Sequence, residues 1–390
     1  MWIWSSTLHG EVDLAPITPL SNFWKQPQAR TKGNPMTIVL DEDPRDTTVL
    51  VTGISGFLAG HIALKLLEQG YRVRGSLRRI DRSDAIRDEL GSHSHGDVTE
   101  NLSFVQADLD SDDGWAAAVE NCRYVIHTAS PFPPGFPENE RELIRTAHDG
   151  ALRVLRAAHQ ARVERVVMTS SVAATNHGDG QAPYTEDNWT DPDSPRATPY
   201  YKSKTLTEQT AWAFAREVGL DLAVINPSVI LGPLLGTKIG TSVGLIHHLM
   251  SGHFEGIPRF GFSVVDVRDA ADAHIRAMTN LAAGGQRFIV GGGFFWLKDL
   301  VAVLARSFPD HGSRLPTREV PDDVVRDMAK FDPNARTIVH ELGRDLSVSA
   351  AKARRILNWS SRPDKECIRA SAQSLIDLGL VSVERPNQHA

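Results

Sequence analysis

The stretch Tyr200-Tyr201-Lys202-Ser203-Lys204 contains one tyrosine placed four residues before a lysine, Tyr200 and Lys204. On a helix that spacing puts both side chains on one face. A phenol titrates near ~10, too high for ready proton exchange at neutral pH. A nearby ammonium favours the phenolate and is expected to lower that value. Alone, the pair is also what an ordinary surface helix shows. It has company, however: Val166-Val167-Met168-Thr169-Ser170-Ser171 ends an apolar run just before it. A hydroxyl at the C-terminal edge of a strand faces the ligand cleft of an open α/β sheet. Ser171 is expected to hydrogen-bond a substrate oxygen. Ser170 is its rival, because neighbours on a strand point to opposite faces; a plain strand-end cap is the alternative for Ser171. Such a set can deliver a proton from Tyr200 to a carbonyl oxygen while Ser171 steadies the developing alkoxide.

That chemistry needs a hydride source. Val49-Leu50-Val51-Thr52-Gly53-Ile54-Ser55-Gly56-Phe57-Leu58-Ala59-Gly60 closes one predicted strand and opens a predicted helix. Gly53 permits a tight turn, Gly56 a close approach to a pyrophosphate, and Ala59 close helix packing; the helix N-terminus offers free N–H groups to the anion. The segment Gly53, Ser55, Gly56, Phe57 and Leu58 therefore reads as a dinucleotide cradle, with Lys204 also holding the nicotinamide ribose. The next strand ends Val73-Arg74-Gly75-Ser76-Leu77-Arg78-Arg79, with Arg82 beyond, and no carboxylate stands at the strand end. Guanidinium groups there grip a 2′-phosphate, which favours NADP (NADPH) over NAD. Arg78 is the leading ligand; Ser76 and Arg79 are second choices, and a solvated basic loop is the bland alternative. Asp108, followed by Leu109, is placed to accept from the adenine amino group or to cap a turn. The small residues Thr128, Ala129 and Ser130 are expected to run beside the cofactor. His127 is expected to point into the core or pack near the cofactor, not to act as a base.

The elements that must hold these residues follow from apolar periodicity. Predicted strands cover 47–52, 71–77, 102–107, 124–128, 165–170 and 222–226; predicted helices cover 57–69, 141–161 and 199–218. Strand–helix alternation implies an α/β fold, a doubly wound parallel (Rossmann) sheet with helices on both faces. Residues 1–46 carry Trp2, Trp4 and Trp24 and no periodicity, and read as an irregular extension. The 390 residues, 41 % apolar, can bury a large core. A net charge of −6 speaks against a broad basic face for nucleic acid. Cys122 and Cys367 lie far apart, so a disulfide framework is not expected and a reducing, cytoplasmic setting fits. No run reaches the ~18 apolar residues of a membrane helix, and the first residues do not read as a signal peptide. His93-Ser94-His95 has no evident third ligand, so no metal is expected.

Taken together, Thr52-Gly53-x-x-Gly56-Phe57-Leu58-Ala59, Thr169-Ser170-Ser171 and Tyr200-x-x-Ser203-Lys204-Thr205-Leu206-x-Glu208 resemble the dihydroflavonol 4-reductase-like branch of the extended short-chain dehydrogenases/reductases, within the NAD-dependent epimerase/dehydratase superfamily. Further matches are Tyr184-x-Glu186-x-x-Trp189, Ile225-Asn226-Pro227-Ser228-x-x-x-Gly232-Pro233 and Val265-Asp266-Val267-Arg268-Asp269. The resemblance spans about residues 47–380. It implies the triad Ser171, Tyr200 and Lys204, the 2′-phosphate arginine Arg78, and Pro227 and Ser228 on the nicotinamide side. It also implies an NADP-binding domain over 47–228, with 264–290 returning to it, and a small C-terminal substrate-binding region over 229–263 and 291–380, followed by a tail at 381–390. The substrate pocket is expected to include Pro131, Phe132, Val172, Ala173, Asn176 and Tyr184, plus residues near Phe260. That mostly apolar set suits an aldehyde or ketone better than a charged sugar nucleotide. The alternatives are a nucleotide-sugar epimerase or dehydratase, a hydroxysteroid dehydrogenase, and, more remotely, a non-catalytic NADP-sensing protein. The expected partner is a small-molecule carbonyl substrate, with the chain a monomer or homodimer.

Overall fold

Short β-branched runs pair into one central sheet in the computed structural model, which describes residues 43–381 apart from 97–98, 132–136 and 138. The tryptophans Trp2, Trp4 and Trp24, the residue Phe132 and the tail 382–390 lie outside the described residues. The strands are β1 (Thr48–Thr52), β2 (Arg72–Leu77), β3 (Leu102–Gln106), β4 (Tyr124–His127), β5 (Arg165–Thr169), β6 (Leu222–Pro227), β7 (Val229–Leu231), β8 (Ile257–Pro258), β9 (Gly261–Asp266), β10 (Arg287–Val290), β11 (Phe294–Trp296) and β12 (Glu319–Val320). The first eight helices are α1 (Phe57–Glu68), α2 (Ser83–His93), α3 (Trp115–Val119), α4 (Glu140–Gln160), α5 (Pro199–Val218), α6 (Thr241–Met250), α7 (Val267–Thr279) and α8 (Leu297–Ser307). Four more follow: α9 (Asp322–Met328), α10 (Pro333–Ile338), α11 (Ala351–Leu357) and α12 (Asp364–Asp377).

The central sheet runs β10-β6-β5-β4-β1-β2-β3, and every neighbouring pair is parallel. The chain leaves β1 toward β2 and β3, then reverses to lay β4, β5 and β6 on the other side. A crevice therefore opens at the C-terminal ends of β1 and β4, where ligands bind in such sheets. Alternation along β1 explains the two-sided core. Val49 and Val51 pack with Ile62 and Leu66 of α1 and Ala270 and Ala273 of α7. Leu50 packs with Val154 and Leu155 of α4 and Ala211 and Ala215 of α5 on the opposite face. Helices thus cover both faces, which is the doubly wound α/β arrangement. A separate cluster joins Val243 and Ile246 of α6, Leu300 and Leu304 of α8 and Ile368 and Leu375 of α12 against Leu231 and Val264.

Between residues 47 and 228, two helices fall outside the predicted set, α2 and α3. In α2 only Ile86 and Leu90 are buried, so its apolar stripe is a single turn long. His93 is its last residue, and its Nδ1 meets the Glu89 carbonyl at 2.9 Å, so the expected polar loop begins only after it. The helix α3 is five residues long and holds Trp115 in the core. Among the described residues no helix is long and apolar enough to cross a membrane. Cys122 and Cys367 are buried free thiols in different core clusters.

Candidate active site

Gly53 leaves β1 at φ +64°, the left-handed region that glycine adopts without strain. A Cβ at this position would stand 3.1 Å from the Ala129 Cβ, so the turn also relies on close approach to the chain after β4. The Gly53 amide donates to Ser76 Oγ at 3.0 Å, and the Gly56 amide to the Gly53 carbonyl at 2.8 Å. Gly56 then caps α1 without a side chain, leaving the first N–H groups of the helix open to an anion. A cleft of about 1280 Å³ begins at Arg78, Arg82 and Asp108. It passes Gly53, Ser55, Gly56, Phe57 and Leu58 and then Thr128, Ala129 and Ser130, and reaches Ser171, Tyr200 and Lys204. Leu109, Pro227 and Ser228 also line it. Ser228 Oγ is buried with no hydrogen-bond partner among the described residues, as expected of a group that awaits a ligand. The cradle, the helix end and the guanidinium groups fit a phosphorylated dinucleotide. Ser76 is committed to the Gly53 amide, and Arg79 is ion-paired to Asp81 at 2.6 Å. The side chains of Arg78 and Arg82 are unpaired among the described residues and line the cleft. Asp108 Oδ1 accepts from the Asp110 amide at 3.2 Å, so Asp108 caps a turn while lining the cleft.

The helix α5 begins at Pro199, with Thr198 Oγ1 accepting from the Tyr201 amide, and ends at Gly219 with φ +71°. Tyr200 thereby sits in its first turn, at the edge of the cleft. Ser171 hydrogen-bonds the Tyr200 phenol, and its Oγ also accepts from the Ala173 amide at 3.1 Å. Ser170 faces the other way and donates to the buried Glu208 carboxylate. The pleat therefore turns the Ser170 hydroxyl to Glu208 and the Ser171 hydroxyl to Tyr200. Lys204 donates to Ser130 Oγ at 3.1 Å, and its Nζ lies 5.9 Å from the Tyr200 ring centre.

The electrostatics correct one expectation. Burial pushes the Tyr200 phenol up to about 12, with the Ser171 hydrogen bond pulling the other way. Desolvation thus outweighs any lowering by the ammonium, and the phenol keeps its proton at neutral pH. Burial also lowers Lys204 to about 8, opposed by Glu208 one turn along α5. His127 is fully buried, bonds Thr52 Oγ1 at 2.8 Å, and is held down to about 3 by burial and then by Lys204. It remains neutral and is a poor base.

Beyond Ser171, Tyr200 and Lys204, the residues Pro131, Val172, Ala173, Asn176 and Phe260 line the cleft. Tyr184 does not, which is a correction. Its backbone bridges to Val348, and its ring is buried with Ile289, Leu346 and Val348. The surrounding motif is structural: Glu186 Oε1 accepts from the Ile289 amide at 2.9 Å, and Arg287 stacks over Trp189 at 3.8 Å, so the segment clamps β10. The substrate half is also less apolar than expected. His177 Nε2 meets Glu341 Oε1 at 3.1 Å, the imidazole stacks on Tyr201 with centres 3.8 Å apart, and all three residues line the cleft.

Residues 49–291 match the sequence model of the NAD dependent epimerase/dehydratase family. The chain belongs to this family. Within it the chain is an extended short-chain dehydrogenase/reductase of the dihydroflavonol 4-reductase-like branch. Cinnamoyl-CoA reductase 1 of Petunia hybrida is 32% identical over 338 residues, covering 85% of this chain and 92% of that protein. Dihydroflavonol 4-reductase of Zea mays is 32% identical over 277 residues, covering 68% and 75%. The crystal structure of yeast methylglyoxal/isovaleraldehyde reductase Gre2 complexed with NADPH superposes with a TM-score of 0.71 at 27% identity, covering 86% of this chain and 100% of that one.

For this short-chain dehydrogenase/reductase, sequence reasoning missed His177, Ser263, Glu341 and Lys238 on the cleft wall. His177 follows Asn176 directly and could have been weighed with it. Glu341 and Lys238 carry no local signal, because distant turns bring them in. Glu208 stood in the tyrosine motif, but its burial beneath Ser170 and Asn226 was not legible there.

Proposed function

We propose that this chain, an NADP-dependent oxidoreductase, reduces an uncharged aldehyde or ketone to an alcohol. The observation that carries the reading is the convergence of Ser171, Tyr200 and Lys204 on one cleft, with the Lys204 Nζ 5.9 Å from the Tyr200 ring centre. Bound NADPH supplies a hydride to the carbonyl carbon. Tyr200 Oη gives its proton to the carbonyl oxygen, so the C=O bond becomes CH–OH, and the phenol is reprotonated from solvent. Ser171 donates a hydrogen bond to the same oxygen as its charge grows. Lys204 holds the nicotinamide ribose and offsets negative charge at the phenol. Arg78 grips the 2′-phosphate, Asp108 receives the adenine amino group, and Pro227 and Ser228 border the nicotinamide. On this reading 47–228 with 264–290 bind the dinucleotide, and 229–263 with 291–380 shape the substrate pocket. An uncharged substrate is favoured because the substrate half presents Glu341 and His177, while Arg78, Arg82 and Lys238 gather at the far end.

The test is NADPH and NADH oxidation across neutral aldehydes, ketones and dihydroflavonols, with Tyr200→Phe beside the parent. NADPH is expected to turn over faster than NADH. Tyr200→Phe is expected to cut turnover by about a hundredfold or more, with NADPH affinity within about twofold of the parent. A Tyr200→Phe enzyme as fast as the parent would remove the phenol from the mechanism.

A further inference from the structure

After β7 the chain does not turn away from the nucleotide end; residues 233–240 cross back over it. The Pro233 carbonyl accepts from His61 Nε2 at 2.9 Å. Leu235 packs so closely on α1 that a Cβ at Gly60 would stand 3.2 Å from its Cδ1. Gly236 lies against α2, where a side chain would collide with the Glu89 carboxylate. Lys238 Nζ donates to the Ser55 carbonyl, inside the phosphate-binding turn, at 3.2 Å. A Cβ at Gly240 would reach 4.0 Å from the Phe57 Cβ. The segment is a strap laid over α1, α2 and the turn between β1 and α1.

The strap brings a cation to a place that already has two. Arg78, Arg82 and Lys238 line the same end of the cleft. Burial lowers the Lys238 pKa, and the charges of Arg82 and Arg78 lower it further, with Glu89 opposing them. Arg79 is excluded from this group by its ion pair with Asp81. Three cations gathered around one carboxylate, Glu89, still repel one another, and an anion bound among them relieves that repulsion. The pyrophosphate position is served by the N–H groups of α1. The charges that act on Lys238 are those of Arg82 and Arg78, in the segment that follows β2.

We propose that Lys238 is a third cation for the 2′-phosphate of NADP, carried over the adenosine end by the strap that follows β7. Recognition of NADP over NAD is then shared between the strand end after β2 and a segment about 160 residues later in the chain. The inference rests on the reading of this cleft as an NADP site.

The experiment measures dissociation constants by calorimetry for 2′,5′-ADP and 5′-AMP, which differ only in the 2′-phosphate. The proteins are the parent, Lys238→Ala, Lys238→Arg and Arg78→Ala. Lys238→Ala is expected to weaken 2′,5′-ADP about five- to tenfold, to leave 5′-AMP within about twofold, and to be largely rescued by Lys238→Arg. Equal weakening of both ligands, or no weakening of either, overturns the proposal. If the parent itself binds both ligands alike, the NADP reading falls and takes the proposal with it. If the parent and Arg78→Ala differ in that preference while Lys238→Ala behaves as the parent, only the proposal falls.

Discussion

Lys204 is 8 % exposed, and its Nζ has a hydroxyl, Ser130 Oγ, as its hydrogen-bond acceptor. Burial holds it at about 8 against the ordinary 10.5. The sign follows from linkage. Above pH 10.5 the lysine is neutral in both folded and unfolded chains and costs nothing. As pH falls from 10.5 to about 8 the unfolded chain takes up the proton first, and native stability drops. Below pH 8 the full cost is present, on the order of 3 kcal/mol. Lys204→Met is therefore expected to raise Tm at pH 7, to lose most of that gain by pH 10.5, and to lose turnover at both. A thermal melt showing Lys204→Met less stable than the parent at pH 7 would contradict the account of a costly buried charge. The pair Ser170 and Ser171 shows the same scale from another side. One residue of strand pleat sends one hydroxyl to Glu208 and the other to Tyr200.

The helix α5 works as a ruler. Tyr200, Lys204 and Glu208 stand at intervals of four, so one face carries the phenol, the lysine and a fully buried carboxylate. Glu208 accepts from Ser170, from Asn226 Nδ2 at 2.7 Å and from Trp212 Nε1 at 3.3 Å, and is ion-paired to Arg287 at 2.8 Å. Asn226 Nδ2 also donates to the Ser171 carbonyl at 3.1 Å. The carboxylate thus ties α5 to the ends of β5 and β6 and to β10, directly beneath Ser171. Removing one partner of a buried ion pair strands the other, at a cost of about 3 kcal/mol or more. Glu208→Gln is expected to show that loss in urea unfolding, whereas Glu319→Gln, whose pair with Lys298 is exposed, stays within about 0.5 kcal/mol. Equal midpoints for the two variants would refute the role given to Glu208. The elements around this site were largely legible. The pattern predicts a helix over 199–218, as observed, because a threonine cap, a proline at the first position and a terminal glycine all lie within the helix's own segment. By contrast β10 was not anticipated. Its four residues are recognisable as a strand only through Val224–Pro227 of β6 and the clamp from Glu186.

Across the whole molecule, neutral buried imidazoles tie the layers together. His61 joins α1 to the strap, His127 joins β4 to β1, and His274 joins α7 to Thr169 at 2.8 Å. Burial lowers them to about 4, about 3 and about 4. Each therefore contributes stability that is present above pH 6.5 and is lost as pH falls toward its folded value. At pH 5 each has lost on the order of 2 kcal/mol, against a total that is rarely above about 15 kcal/mol. Cooperative acid unfolding with a midpoint near pH 5 is the expected result, followed by tryptophan fluorescence and circular dichroism. Native signals retained down to pH 3.5 would contradict it.

By itself, the order of residues determined what acts within a few positions. The turn from Gly53 to Leu58, the Tyr200–Lys204 face and the alternating β and α segments are local, because caps, glycines and apolar spacing act over one or two turns of chain. Tertiary structure alone decided which serine meets the phenol, that Tyr184 supports β10 instead of the pocket, and that the phenol is pushed up instead of down. It also decided that His177 meets Glu341 and that Lys238 meets Ser55, partners separated by 164 and 183 residues. Those outcomes depend on burial and on distant segments brought into contact, and neither exists until the chain has folded.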